Sequence, residues 1–168
     1  MGENETDAVD TIAAQWRRER PDLDGEAMEV IGRLGRLAAM AGAKIETVFT
    51  AHGLQRGEFD VLAALRRSGE PYELNPSALA DTLMMSRAGM TGRLDRLEQA
   101  GLVRRVADAG DRRAIKVALT DRGLHLIDIV VTDHFENETR ILSVLSAADR
   151  KELDRISRLL LADLERES

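Results

Sequence analysis

The chain has 168 residues, no cysteine, a charged fraction of 32% and a formal net charge of −6. That length fits one domain, with an appended association region at most, and is enough to bury a core. The lack of cysteine excludes disulfides, thiol redox sensing and cysteine–zinc sites; no apolar run reaches membrane length, and the acidic N-terminus does not read as a secretion signal, so a cytoplasmic protein is expected.

Asp7–Arg20 (DAVDTIAAQWRRER) predicts a short amphipathic helix with Val9, Ile12, Ala13 and Trp16 on one side, broken by Pro21-Asp22-Leu23-Asp24. Trp16, the single tryptophan, reads either as an anchor fixing this helix to the body or as a stacking wall for a flat ligand. Glu26–Ala51 places apolar residues at Val30, Ile31, Leu34, Leu37, Ala38, Ala41, Ile45, Val48 and Phe49. The spacing predicts one helix about 39 Å long, ended by Gly53. Glu58–Arg67 (EFDVLAALRR) predicts a third helix with Phe59, Leu62 and Leu65 inward, and Ser68–Leu74, containing Pro71, reads as a turn.

Asn75 to Thr120 is the most informative stretch. It predicts helices over Pro76–Leu83 and Arg87–Ala100, a strand over Leu102–Ala107, a polar turn over Asp108–Arg113 and a strand over Ile115–Leu119. That is the layout of a winged helix-turn-helix. Asn75 is placed to cap the first helix with Pro76 at its first position, and Ser86 to cap the second, which Gly101 ends. At about 100° per residue, Met90, Leu94 and Leu97 point into the domain. Ala88, Gly92, Asp95, Arg96 and Gln99 point away, with Thr91 at the border. A helix that enters the major groove presents short or hydrogen-bonding residues near its N-terminus, and Ser86, Arg87, Thr91 and Gly92 fit. The helix alone also fits an ordinary amphipathic helix with a solvated face; the strand, basic turn and strand that follow favour DNA. So does the charge distribution. Leu74 to Thr120 holds eight Arg/Lys against five Asp/Glu, a balance of +3, while the remainder carries sixteen against twenty-five, or −9.

Thr120 is then placed to cap a helix through Leu124, Ile127, Val131 and Phe135 to about Leu145, with Gly123 tolerated in its first turn. Ser146-Ala-Ala-Asp149 resembles a capping box with Asp for Glu, and the last helix carries Leu153, Ile156, Leu159, Leu160 and Leu164. Terminal helices this apolar suggest a two-fold dimer interface; an intramolecular bundle is the alternative. The expected fold is mainly α with a small β-wing. Residues 1–24 form an N-terminal extra helix and linker, 25–53 the long helix, 54–120 the DNA-binding lobe and 121–168 the dimerisation helices. The long helix is expected to run between dimer core and lobe.

An enzyme is not expected. His52, His125 and His134 lie on different segments with no metal-binding spacing, and no nucleophile elbow, P-loop or dinucleotide fingerprint is present. His134, beside Asp133 and Glu136, reads as solvated helix surface. No cofactor or metal is expected.

The segment LADTLMMSRAGMTGRLDRLEQAGLVRRVADAGDRRAIKVALTDRG resembles the MarR family of bacterial transcription regulators, through RLDRLEQAGLV, the DRR of the wing tip and LTDRG at the next helix. The resemblance covers essentially the whole chain. It implies a winged-helix homodimer that binds a pseudo-palindromic operator, usually as a repressor released by a small molecule. By position, Ser86, Arg87, Thr91 and Gly92, with Arg96 on the same outward face, would approach bases or phosphates. Arg112 and Arg113 would enter the flanking minor groove, with Asp111 holding the wing arginine. Gly92 departs from the pattern, since relatives often have Asn or Arg there. The extra N-terminal helix is similar to the urate-responsive branch, whose four signature residues match Trp16, Asp60, Arg93 and Arg105. Arg93 sits at the edge of the inward face, where an acidic partner is wanted, and Asp60, on a preceding helix, is a candidate. The pair could equally be structural only. Two rivals share the sequence pattern: a MarR-like regulator that is an orphan or answers another aromatic or carboxylate metabolite, and a degenerate winged helix that binds protein.

Overall fold

The computed structural model describes residues 6–84, 86–108 and 114–166, the side chain of Arg87 excepted. The elements run α1 (Ala8–Glu19), α2 (Glu26–Ala51), α3 (Arg56–Arg67), β1 (Glu73–Leu74), α4 (Pro76–Thr82), α5 (Arg87–Gln99), β2 (Val103–Ala107), β3 (Ile115–Leu119), α6 (Asp121–Ile141) and α7 (Ala147–Arg166). They fall into two compact units, Met1–Lys44 and Ile45–Ser168. Among the described residues, no helix is long and apolar enough to cross a membrane.

In the first unit α1 lies along α2. Asp7 accepts the backbone N–H groups of Val9 at 2.7 Å and Asp10 at 3.0 Å, and the Asp10 carboxylate accepts that of Asp7 at 2.7 Å. This closes a capping box with Asp at both positions. Val9 meets the bare face of Gly32, where an added Cβ would stand 3.3 Å from Val9 Cγ1. Arg33 of α2 donates to Asp7 at 3.0 Å and to Asp10 at 2.5 Å, and Arg17 donates to Glu29 at 2.8 Å.

The second unit is built around α3, of which Val61, Leu62 and Leu65 are wholly buried. Helix α3 packs on α5, α6 and β3. Phe49 stacks on Phe59 with ring centroids 4.2 Å apart. Leu79, Met90, Leu94, Leu97, Val117, Ile127 and Val130 complete the core. The sheet order is β1-β3-β2, antiparallel throughout, with Arg105 opposite Val117 and Leu74 also opposite Val117 on the other side.

Four local expectations need correction or sharpening. The turn expected over Ser68–Leu74 contains β1, a two-residue strand whose neighbour Tyr72 accepts the backbone N–H of Leu119 at 3.1 Å. Asn75 has the extended backbone of a cap residue, yet its side chain makes no capping hydrogen bond, and the first turn of α4 relies on Pro76, whose ring presets the helical φ. Gly123 is required rather than tolerated. A Cβ there would overlap the Leu102 carbonyl, because Thr120 draws the start of α6 onto this turn by donating to Gly101 O at 2.7 Å. Finally, α7 buries none of its described residues and leaves Ile156, Leu159, Leu160, Leu161 and Leu164 exposed, so an intramolecular bundle does not cover its apolar face.

Candidate nucleic-acid interface and effector residues

The helix-turn-helix is α4, a turn in which Met84 adopts φ +50°, and α5. Ser86 Oγ accepts the Gly89 N–H at 3.2 Å, fixing the first turn of α5, and Gly101 at φ +68° ends the segment, as their side-chain chemistry requires. Met90, Leu94 and Leu97 are buried to within 2%. Ser86, Ala88 and Thr91 are exposed and Gly92 is half-buried with open space where a side chain would stand, so the start of α5 offers small groups outward. Arg87 is the first residue of this helix.

At the base of the wing, Lys116 Nζ donates to Glu73 at 2.9 Å and lies 3.5 Å from Asp108. The bond to Glu73 holds the ammonium pKa above its ordinary value, with Asp108 adding to it. This ties β1, β2 and β3 together below the tip. The tip residues Asp111, Arg112 and Arg113 lie outside the described residues.

The remaining arginines divide by partner. Arg96, expected to face DNA, is half-exposed, but its Nε donates to Glu58 Oε1 at 3.0 Å, a buried carboxylate of α3. Arg105 of β2 is held on α5: its Nη2 donates to Asp95 at 2.5 Å, its Nη1 to Glu98, and its backbone N–H to Glu98 at 3.1 Å. Those carboxylates, Asp95 first, raise its pKa further. Arg93 lies against the first turn of α3, its guanidinium over the bare Cα of Gly57. Asp60, one turn further along α3, is half-buried; burial pushes its carboxyl pKa up by more than Arg56, Arg93 and Arg67, in that order, pull it down. Arg93 is thus near enough to lower the Asp60 pKa, though by less than Arg56 does, and the net shift is upward.

Trp16 stands in the first unit, about half-exposed, and lines an apolar pocket of about 140 Å³ with Ala13, Arg17, Leu23, Asp24, Gly25 and Met28. Both readings of this residue draw on that setting, since the side chain is part buried and part exposed.

Sequence reasoning missed Gly57 and Glu58, which receive Arg93 and Arg96. The available signal was the Gln55-Arg56-Gly57-Glu58 box, in which Glu58 Oε2 accepts the Gln55 N–H at 2.9 Å. His134 also needs correction. It is not solvated surface: its ring packs edge-on to Phe59 at 5.1 Å and beside Phe49 at 5.3 Å, and among the described residues its buried Nδ1 has no hydrogen-bond partner.

A family model described as "MarR family" matches residues 52–114, from the end of α2 to the wing. The chain is 48% identical over 145 residues to the HTH-type transcriptional regulator PecS of Dickeya dadantii, covering 86% of this chain and 87% of that protein. AbsC, a MarR family transcriptional regulator from Streptomyces coelicolor, superposes with a TM-score of 0.72 at 26% identity, over 85% of this chain and 96% of its own. Sco3205 of the same organism, solved in complex with DNA, shares the fold with a TM-score of 0.73 at 22% identity, over 84% and 89%. With its winged helix-turn-helix and a relative this similar along most of its length, the chain belongs to the MarR family of DNA-binding transcriptional regulators.

Proposed function

We propose that this regulator works in the cytoplasm as a homodimeric repressor, gripping a pseudo-palindromic operator and letting go when a small planar anion such as urate binds. The observation that supports the effector half is that the half-buried Asp60 carboxyl feels the charge of Arg93 of the recognition helix, while burial disfavours its ionised form despite nearby arginines. A carboxylate already costly to ionise is sensitive to a second negative charge placed beside it. In this reading Trp16 is a ligand-binding residue, and the ligand's charge competes with Asp60 for Arg93 and takes Arg105 from Asp95 and Glu98. Losing that tie loosens β2 from α5, and the helix shifts. Ser86, Arg87, Thr91 and Gly92 supply contacts in the major groove, and Arg112 and Arg113, steadied by Asp111, reach the minor groove. Couplings of about 1–3 kcal/mol, or roughly 5–150-fold, are typical of allostery, so a small displacement is sufficient.

The test is operator binding with and without urate, in the wild type and in Trp16→Phe. Release of the wild type at urate concentrations that leave Trp16→Phe bound supports the reading; equal sensitivity removes Trp16 from it. One observation favours a second reading: Arg105 already holds two carboxylates. A regulator with no ligand, or one answering another aromatic or carboxylate metabolite, would keep that network purely structural, and urate would then release neither protein.

A further inference from the structure

Two successive residues of α3 receive two arginines of α5. Glu58 accepts Arg96 at 3.0 Å, and one turn earlier on α5 the Arg93 guanidinium lies over Gly57. Gly57 is an ordinary helical position, without the left-handed φ that marks Gly53, Gly69 and Gly101. Backbone conformation therefore does not call for glycine here; space does. A Cβ at position 57 would overlap Cζ and both terminal nitrogens of Arg93. The position is also electrostatically unusual, because a cation over the first turn of a helix meets the positive end of its dipole. Glu58 and Asp60 supply the negative charge that offsets it.

We propose that Gly57 is a positioning residue of the DNA-recognition helix: its missing side chain seats the Arg93 guanidinium, and this seat, with the Glu58–Arg96 bond, fixes the pose in which α5 meets DNA. The inference rests on the operator-binding reading above. It accounts for a glycine in the first turn of α3, where no left-handed φ calls for one. The obstacle to alanine is the far end of a flexible side chain, so Gly57→Ala relocates a charge without opening the core.

The experiment is a double-mutant cycle on the full-length chain, using Gly57→Ala, Arg93→Ala and the pair together. The probe is a duplex from the region upstream of its own coding sequence, read by gel shift. Thermal melting is recorded in parallel. Gly57→Ala is expected to lower operator affinity at least about fivefold, the lower end of typical couplings, while the melting midpoint stays near that of the wild type. In the Arg93→Ala background the same alanine should have no further effect on affinity and should raise the melting midpoint, since only helix propensity then remains. As a second readout, the Arg93 Nε–H resonance should move in Gly57→Ala. An equal loss of affinity in both backgrounds, an unmoved resonance, or a Gly57→Ala protein that Arg93→Ala does not restore to folding would each overturn the seat. If wild type binds and Gly57→Ala binds equally well, the seat alone fails. If wild type ignores the duplex even at low salt, the operator-binding reading fails first.

Discussion

Helices α3 and α7 carry apolar residues at the same helical spacing and meet opposite fates. Phe59, Val61, Leu62 and Leu65 of α3 are enclosed by α5, α6 and β3, whereas Leu159, Leu161 and Leu164 of α7 are each more than half exposed. Both helices are amphipathic in sequence, so local propensity does not separate them. The difference lies in what each face is offered. Helix α3 finds its complement in α5, α6 and β3 of its own unit, while α7 leaves a leucine stripe of a kind that single soluble chains rarely expose. A second copy of the chain, as in the proposed dimer, would cover it.

The two helices should therefore respond differently to the same kind of substitution. Leu62→Ala, at a wholly buried position, is expected to cost roughly 2–5 kcal/mol at any protein concentration, measured by denaturant unfolding. Leu160→Asp in α7 should instead act through association. Wild type is expected to sediment at twice the chain mass of 18.6 kDa and the variant at 18.6 kDa, with a melting midpoint that falls on dilution only in the wild type. Concentration-independent loss in the α7 variant would mean that the stripe serves the single chain after all.

A smaller effect is expected at Asp60, which belongs to the enclosed helix yet carries a charge. Burial raises its folded pKa above the ordinary 3.8. A raised carboxyl pKa gives stability that is fully present below 3.8 and lost as pH climbs through the higher folded value, so at neutral pH Asp60 weakens the fold. Asp60→Asn should then melt higher than wild type at pH 7, with the gain shrinking as pH falls toward 4. Lower stability at pH 7 would show that attraction to Arg93 outweighs desolvation.

Much of this architecture is legible in the residues themselves. The bounds Glu26–Ala51 and Ile115–Leu119 agree with the sequence pattern, as do the inward triad of α5 and the caps Ser86, Thr120 and Ser146, whose Oγ accepts the Asp149 N–H at 3.2 Å. These features depend on neighbours within a turn or two, which the sequence displays directly. What escaped it depends on partners far along the chain. Strand β1 is too short to show alternation and exists through pairing with β3. Arg96 looks outward on a helical wheel but is claimed by Glu58, 38 residues earlier. Gly123 looks incidental until the Leu102 carbonyl is placed against it. Of the proposed site, the helical placement and cap of the start of α5 were legible; the commitment of Arg105 to Asp95 and Glu98 was not, because nothing in its spacing marks one arginine of the GLVRR run as already paired.

The central claim is that two copies of α5 and its wing hold one duplex. Its most direct test is the mass of the complex with the upstream duplex, followed as salt is raised. Two chains per duplex are predicted, with log K falling steeply against log salt and less steeply for Arg113→Ala. One chain per duplex, or an affinity indifferent to salt, would contradict it.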